Sequence, residues 1–469
     1  MIAACCLLVC FAAASPADVI ILKNGRRIVA VNVREAEGKI IGETPAGTVT
    51  LPASMVDRIE RDAPGGSPAA DLRWGPPRSD FSGDAGAGAQ PVVRGSAIDL
   101  EALQRIRREA SNGDAAAVAR AADAESAVGA FEFNRGNLDE ALIHAERALA
   151  FEPAKGTLLL NVAYLRLRRA EYGSALAFLV RARRVAPDSP DVAKLTGWAY
   201  YGLNRLPQAV EEWRRSQRLL PDDDVAGALA KAERDLEAER NFREDGSEHF
   251  VLRYDGAAAP ELARSILRQL EDDFRSVSAA LDYSPSEPVA IILYTNRAFA
   301  DITRAPAWAG AINDGRIRIP VQGLTSVTPA LARVLRYELT HSLVGGKTRG
   351  RCPVWLQEGV AQWMDGSRLG PAAAASLVSL YDRHEDPSLG SLEGSWMNMP
   401  SDFVGTAYAW SLAVVESLVH AGGTSDIERL LDRIASEPTA EPAVRAAVRL
   451  DYATLNRFTA DYLRSNYSR

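Results

Sequence analysis

The stretch from Leu331 to Gly366 determines how the C-terminal half of this chain folds; it reads LARVLRYELTHSLVGGKTRGRCPVWLQEGVAQWMDG. Its first half predicts a helix, because apolar residues recur there at helical spacing, at Leu331, Val334, Leu335, Leu339 and Leu343. Glu338 and His341 are three residues apart on that helix, so their side chains project to the same side. Glu358 follows 17 residues after His341, inside a second predicted helix.

This layout resembles the gluzincin branch of the zinc metallopeptidases. In that family His-Glu-x-x-His supplies two zinc ligands and a general base, and a Glu on a following helix is the third ligand. The resemblance implies that Glu338 is the base and that His341 and Glu358 are ligands of Zn²⁺. Tyr337 stands where the family has its first motif His. Tyr408, in the segment AYAW, is the candidate for stabilising an oxyanion.

The tyrosine leaves two interpretations of this motif open. In one, a Tyr337, His341 and Glu358 site still holds zinc and the protein is an active metallopeptidase of the endopeptidase or aminopeptidase type. In the other, zinc binding is impaired and the domain is a pseudoenzyme that binds a peptide or protein. Tyr337 is then expected to be a neutral phenol that donates to Glu358 or Gln362. Gln362 stands where related gluzincins carry a carboxylate that orients the first His.

The surroundings of the motif extend the resemblance to residues 246–469. The segments DGRIRIP and YAWSLAVVESLVHAGG resemble peptidase MA-like domains, which often follow tetratricopeptide repeats. Strands followed by helices predict an α+β unit. Gly315 to Pro320 is predicted to be an exposed edge strand bordering the cleft above Glu338 and His341, where an extended peptide could add as a strand.

The N-terminal residues predict export. Met1 to Ala14 is an uninterrupted apolar run, too short to span a bilayer. Residues 1–17 are therefore predicted to be a signal peptide, cleaved after Ala14 or Ala17. A lipoprotein is less favoured, because no small residue precedes Cys10. Only Cys352 would remain after cleavage, so no disulfide framework is expected in this periplasmic or extracellular protein of a bacterial envelope. The net charge of -7 argues against a nucleic-acid partner.

Two segments lie between the signal and the repeats. Residues 18–62 alternate β-rich runs with turn residues, including Asn24-Gly25, and predict a small β module that resembles SH3-like modules of exported bacterial proteins. Residues 63–96 are rich in Pro and Gly and predict a linker.

Residues 97–245 are predicted to form a helical repeat. Pro153, Pro187 and Pro221 are 34 residues apart, and so are Ala141, Ala175 and Ala209. This phase resembles the tetratricopeptide repeat, and three units with a polar final helix predict a short solenoid. The fold class is thus multidomain: a small all-β module, an all-α solenoid and an α+β gluzincin-like domain. The resemblance implies a peptide or protein partner for the repeats and the cleft; a third hypothesis is an envelope assembly scaffold.

Overall fold

The computed structural model describes most of the chain from Ala17 onward. The described residues are 17–22, 27–36, 38–44, 47–63, 92–95, 97–255, 260–294, 312–313, 315–321, 324–394, 396, 399, 401–437 and 439–467. Residues 1–16 of the predicted signal, most of the predicted linker and the Asn24-Gly25 turn lie outside these residues.

The β module is a five-stranded antiparallel sheet. Its strands are β1 (Ala17–Leu22), β2 (Arg27–Ala36), β3 (Lys39–Thr44), β4 (Gly47–Pro52) and β5 (Val56–Ala63). They run in the order β4-β3-β2-β1-β5, so the last strand returns to pair with the first. Ile20, Val33 and Ile40 are buried at the centre of this small sheet, as alternation on a half-buried strand requires.

The helical region begins after a short ribbon of β6 (Val93–Arg94) and β7 (Ala97–Ile98). Its helices are α1 (Leu100–Ala110), α2 (Ala115–Asn134), α3 (Leu138–Phe151), α4 (Gly156–Arg168), α5 (Tyr172–Val185), α6 (Pro190–Gly202), α7 (Leu206–Leu219) and α8 (Asp223–Ala238). Helices α3, α5 and α7 start 34 residues apart, which confirms the predicted repeat.

Small residues allow the paired helices of each repeat to approach closely. Ala141, Ala175 and Ala209 are fully buried at the start of successive second helices. Gly197 on α6 lies directly against the indole ring of Trp213 on α7, where a Cβ atom would overlap the ring. The 34-residue pattern in the sequence is therefore a pattern of helix contacts.

The C-terminal domain is built on a second, separate five-stranded sheet in the order β11-β12-β10-β9-β8. Its strands are β8 (Phe242–Gly246), β9 (Phe250–Asp255), β10 (Val289–Tyr294), β11 (Ile312–Asn313) and β12 (Ile317–Pro320). Strand β10 pairs in parallel with β9 and β12, whereas β8 and β11 are antiparallel to their neighbours. The sheet starts at Phe242, before the boundary at 246 that the sequence suggested.

Helices cover this sheet and complete the domain. They are α9 (Pro260–Leu281), α10 (Pro329–Lys347), α11 (Val354–Met364), α12 (Pro371–Asp382), α13 (Ser401–Gly422), α14 (Thr424–Ser436), α15 (Ala440–Val448) and α16 (Tyr452–Tyr467). A shared apolar core joins α9, the sheet, α10, α11 and α13. Among the described residues, no helix combines the length and hydropathy that crossing a membrane requires.

The prediction of an exposed edge strand at Gly315 to Pro320 is wrong in two respects, because the strand is neither at the edge of the sheet nor exposed. Strand β12 lies between β10 and β11 and is not the last strand of the sheet. Ile317 and Ile319 face the core beneath α10, and Arg316 and Arg318 are almost completely buried on the opposite face. A run of alternating Arg and Ile normally indicates a solvated face; here another helix covers that face.

Candidate functional site

Four of the five predicted site residues lie on α10 and α11, and the fifth, Tyr408, lies on α13. Helix α10 starts at a Thr328 cap, whose hydroxyl accepts from the Leu331 amide at 3.1 Å. Helix α11 carries Glu358 and crosses α13 very closely. A Cβ atom on Gly359 would overlap the carbonyl oxygen of Ser411 and lie 2.7 Å from Val415. Glycine is therefore required beside Glu358, because no side chain fits between these helices.

Tyr337, His341 and Glu358 come together as the sequence predicted. The hydroxyl of Tyr337 donates a hydrogen bond to Oε2 of Glu358. Nε2 of His341 lies 3.5 Å from the same carboxylate oxygen. The rings of Tyr337 and His341 meet edge to face, with centroids 4.6 Å apart. All three side chains are buried, Glu358 completely. One carboxylate oxygen is thus the common neighbour of a phenol and an imidazole.

Glu338 and Tyr408 complete the surroundings of this group. Glu338 is buried one residue after Tyr337, and Asn313 of β11 donates to its backbone carbonyl at 3.0 Å. Tyr408, on α13, is buried and meets the ring of Trp396 edge to face. Its phenol interacts with that of Tyr337. The structure therefore places all five predicted site residues within one cluster, without testing the role of any of them.

Gln362 has a different partner from the one expected. Its Nε2 atom donates to the backbone carbonyls of Glu358 and Tyr408, each at 3.1 Å. It joins α11 to α13 and is not the acceptor for Tyr337. Within the site the phenol therefore bonds to Glu358, one of the two acceptors that the sequence suggested.

The electrostatics of the site favour a protonated phenol. Burial, followed by the nearby Glu358 carboxylate, raises the pKa of Tyr337 well above its usual range. Burial also raises the pKa of Tyr408 strongly. For His341, burial opposes the charged form, but Glu358 and Glu338 outweigh it and raise the pKa of the imidazole. Two carboxylates thus stabilise a proton on each aromatic neighbour.

This arrangement does not fit the three-ligand zinc site that the resemblance implies. A zinc ligand must offer an unprotonated donor atom, and the phenol of Tyr337 keeps its proton in a bond to Glu358. Only His341 and Glu358 remain as ordinary ligands. Within the part of the chain that the structure describes, no three His, Cys, Asp or Glu side chains form a metal-binding group.

The remaining histidines do not supply the missing ligand. His144 bonds to Glu125 at 2.7 Å in the first repeat, and His249 bonds to Glu271 at 2.8 Å beside the sheet. His384 is exposed after α12, and His420 contacts the ring of Tyr462. Each of the four therefore lies away from Tyr337.

Sequence reasoning missed Asn313 and four charged residues behind the sheet. Asp235 and Glu239, at the end of α8, pair with Arg318 of β12 and with Arg316 immediately before it. A signal was present: Val225, Ala228 and Ala232 form the buried stripe of α8, and the two acidic residues continue it at the same spacing. Charges on an apolar stripe indicate a buried partner of opposite sign.

The comparisons with known proteins agree with this fold. Residues 275–465 match the family model described as the Peptidase MA superfamily. This part of the chain is a Peptidase MA superfamily domain, and TPR-like helical repeats precede it.

Among solved structures, the NMR structure of the first TPR domain of the human RPAP3 protein is similar to 26% of this chain and is covered over 95% of its own length. The sequence identity is 21% and the TM-score is 0.25. None of the curated proteins matches the chain.

Proposed function

We propose that this is an exported Peptidase MA-like protein that acts by binding a peptide or protein and whose zinc binding is impaired. The observation that carries the proposal is the hydrogen bond from Tyr337 to Glu358. It uses the carboxylate oxygen that zinc would need and adds a proton where a third ligand should be. His341 and Glu358 offer two ligands where zinc requires three.

Zinc binding would require a costly rearrangement at this site. The metal would have to break the bond between Tyr337 and Glu358 and remove the phenolic proton. The free pKa of a tyrosine is near 10, and burial next to Glu358 raises it further in this chain. A neutral histidine would bind the metal without losing a proton, whereas Tyr337 must first lose its phenolic proton, which reduces the net free energy of metal binding. A low zinc affinity follows.

The binding role rests on the repeats and on the small sheet. Helical repeats present extended surfaces that commonly bind other proteins. The β module is proposed to be SH3-like, supported by its strand order, in which β5 pairs with β1.

Export rests on the apolar run from Met1 to Ala14. Sequencing the N terminus of the protein recovered from an envelope fraction tests it.

An active zinc metallopeptidase is the second candidate, favoured by one distance. Two zinc bonds of about 2.0–2.1 Å at a tetrahedral angle place the donor atoms roughly 3.3 Å apart. Nε2 of His341 and Oε2 of Glu358 are 3.5 Å apart. These two side chains are therefore spaced as a shared metal would require, and in this candidate the family resemblance makes Glu338 the base. An assembly scaffold built on the repeats is the third candidate, and it rests on the 34-residue spacing of α3, α5 and α7.

Hydrolysis of an unfolded protein substrate in the presence of added zinc separates the peptidase from the two non-enzymatic candidates. The matched control is Glu338→Gln, which removes the base and keeps the size of the side chain. We expect no difference between the wild type and Glu338→Gln, because neither assembles a working metal centre. Hydrolysis by the wild type that disappears in Glu338→Gln would overturn the proposal and establish the peptidase.

A further inference from the structure

The last helix of the solenoid forms one wall of the C-terminal domain. Helix α8 buries Asp235 and Glu239 against the face of the sheet opposite α10. A carboxylate at a helix C terminus, such as Glu239, is unfavourable next to the helix dipole. A buried carboxylate also loses its hydration. Both costs require nearby positive charge, and the sheet supplies it.

The pairing between helix and sheet is specific. Arg318 donates two hydrogen bonds to Asp235, from Nη1 to Oδ1 at 3.0 Å and from Nη2 to Oδ2 at 2.7 Å. Arg316 donates to Glu239 at 2.6 Å, and Tyr294 of β10 donates to Glu239 at 2.7 Å. Two-point contact of this kind fixes orientation as well as distance. These bonds therefore connect β12 to the end of α8.

Strand β12 is connected to the candidate site through its neighbour β11. Asn313 of β11 pairs with Ile317 of β12. The amide of Asn313, also buried, donates to the carbonyl of Glu338 at 3.0 Å and to Ser342 Oγ at 2.7 Å. The chain of contacts thus runs from a helix of the repeats to the residue that the family motif makes the base.

Other contacts hold the same edge of the solenoid against the domain. Glu287 accepts a bond from the amide of Gly173, at the start of α5, at 3.2 Å. Arg349 pairs with Asp139, at the start of α3, at 2.5 Å. Arg351 donates to the carbonyl of Gly136 at 2.5 Å. These contacts therefore join the starts of α3 and α5 to the C-terminal domain of the same chain.

We propose that the repeats act as an internal clamp on the β11–β12 hairpin, and that Asp235 and Glu239 are positioning residues for the site at Glu338. The clamp is independent of whether zinc binds, because none of its contacts involves Tyr337, His341 or Glu358. It also means that the isolated solenoid exposes an acidic surface that the whole protein covers. A partner found with residues 97–245 alone could therefore be captured by a surface that is normally buried.

Hydrogen–deuterium exchange of the full chain tests the clamp. The variants are Asp235→Asn and Glu239→Gln, which remove charge and keep side-chain size. The matched control is Glu237→Gln, because Glu237 lies on the same helix with its side chain exposed. The amide of Ser342 is the reporter, since in a helix it bonds to the carbonyl of Glu338. The amides of α16 report global unfolding.

We expect exchange in α8, in β12 and at residues 337–343 to become roughly tenfold faster in both variants, with α16 and Glu237→Gln unchanged. Asn313→Ala interrupts the last step and should speed exchange at residues 337–343 while α8 keeps its wild-type rate. Faster exchange in α8 and β12 with residues 337–343 at the wild-type rate would overturn the clamp. So would an Asn313→Ala variant that exchanges like the wild type at residues 337–343.

Discussion

The hydroxyl of Tyr337 donates its hydrogen bond to the carboxylate of Glu358, across the two helices that would hold the metal in an intact gluzincin motif. Both side chains are buried, Glu358 completely. The tyrosine at the first position of the motif therefore has a hydrogen-bond acceptor inside the fold.

This hydrogen bond should stabilise the fold. Tyr337→Phe removes the donor and leaves a buried carboxylate one bond short, which costs about 2 kcal/mol for a bond to a charged group. Denaturant unfolding gives the difference in free energy. The control is Tyr200→Phe on the partly exposed surface of α6, expected to change stability by less than about 0.5 kcal/mol. Equal, small effects of both variants would contradict the assignment.

Because α11 and α13 cross closely at Gly359, replacing this glycine with alanine should change stability in the opposite direction to the same replacement at Gly227. Alanine normally stabilises a helix by about 1 kcal/mol relative to glycine. Gly227→Ala on α8 should follow that rule, because no atom lies within 4 Å of the added Cβ. Gly359→Ala should destabilise by about 1–3 kcal/mol, because the methyl group overlaps Ser411. Thermal unfolding of both variants measures the signs; a stabilising Gly359→Ala would show that the helices separate easily.

The ion cluster behind the sheet should be costly to break. Glu239→Ala leaves Arg316 buried without its closest acceptor, and removing one partner of a buried pair costs about 3–5 kcal/mol. Glu237→Ala, next to it on the surface, should stay within about 0.5 kcal/mol of the wild type. Denaturant unfolding of the full chain compares the two. A loss for Glu239→Ala as small as that for Glu237→Ala would mean that water reaches the cluster.

The same cluster should make the free energy of unfolding depend on pH. Burial opposes the charge of Asp235, but Arg318, Lys231 and Arg316 outweigh it and lower its pKa. A lowered pKa adds stability that is complete above the unfolded value, near 3.9, and is lost as the pH falls through the folded value. The wild type should therefore exceed Asp235→Asn in unfolding free energy at pH 7, and the gap should narrow below about pH 4. A gap that widens in acid would reverse the assignment.

The sequence predicted the repeats and the two motif helices well, because both patterns are local. The 34-residue spacing of Ala141, Ala175 and Ala209 records contacts between neighbouring helices, and these form as predicted. The apolar spacing from Leu331 to Leu343 likewise gave the helix that carries Tyr337 and His341. The meeting of these residues with Glu358 followed from the family resemblance, since the chain alone does not state how α10 and α11 cross.

Strand β12, which was predicted to be an exposed edge strand, shows where a prediction from local sequence pattern fails. Arg316 and Arg318 alternate with isoleucines, a pattern that a solvated strand would produce equally well. Their partners, Asp235 and Glu239, lie about 80 residues earlier in the chain, as the 81 and 83 residue separations of two of these bonds show. No periodicity connects residues that far apart. The charges on the buried stripe of α8 were the local sign that another element covers them.

The amount of zinc bound by each chain tests the central claim most directly. It is measured on the purified full chain after equilibration with zinc and removal of the excess, for the wild type, Tyr337→Phe, Tyr337→His and Tyr337→His combined with Gln362→Glu. The account predicts little zinc in the wild type and in Tyr337→Phe. It predicts a clear gain in Tyr337→His, because a third ligand is restored. It predicts a further gain with Gln362→Glu, because a carboxylate cannot donate to the carbonyls of Glu358 and Tyr408 that Gln362 bonds now and turns from them toward the new imidazole. Close to one zinc per wild-type chain, lost in Tyr337→Phe, would contradict the account and show that the tyrosine is itself a ligand.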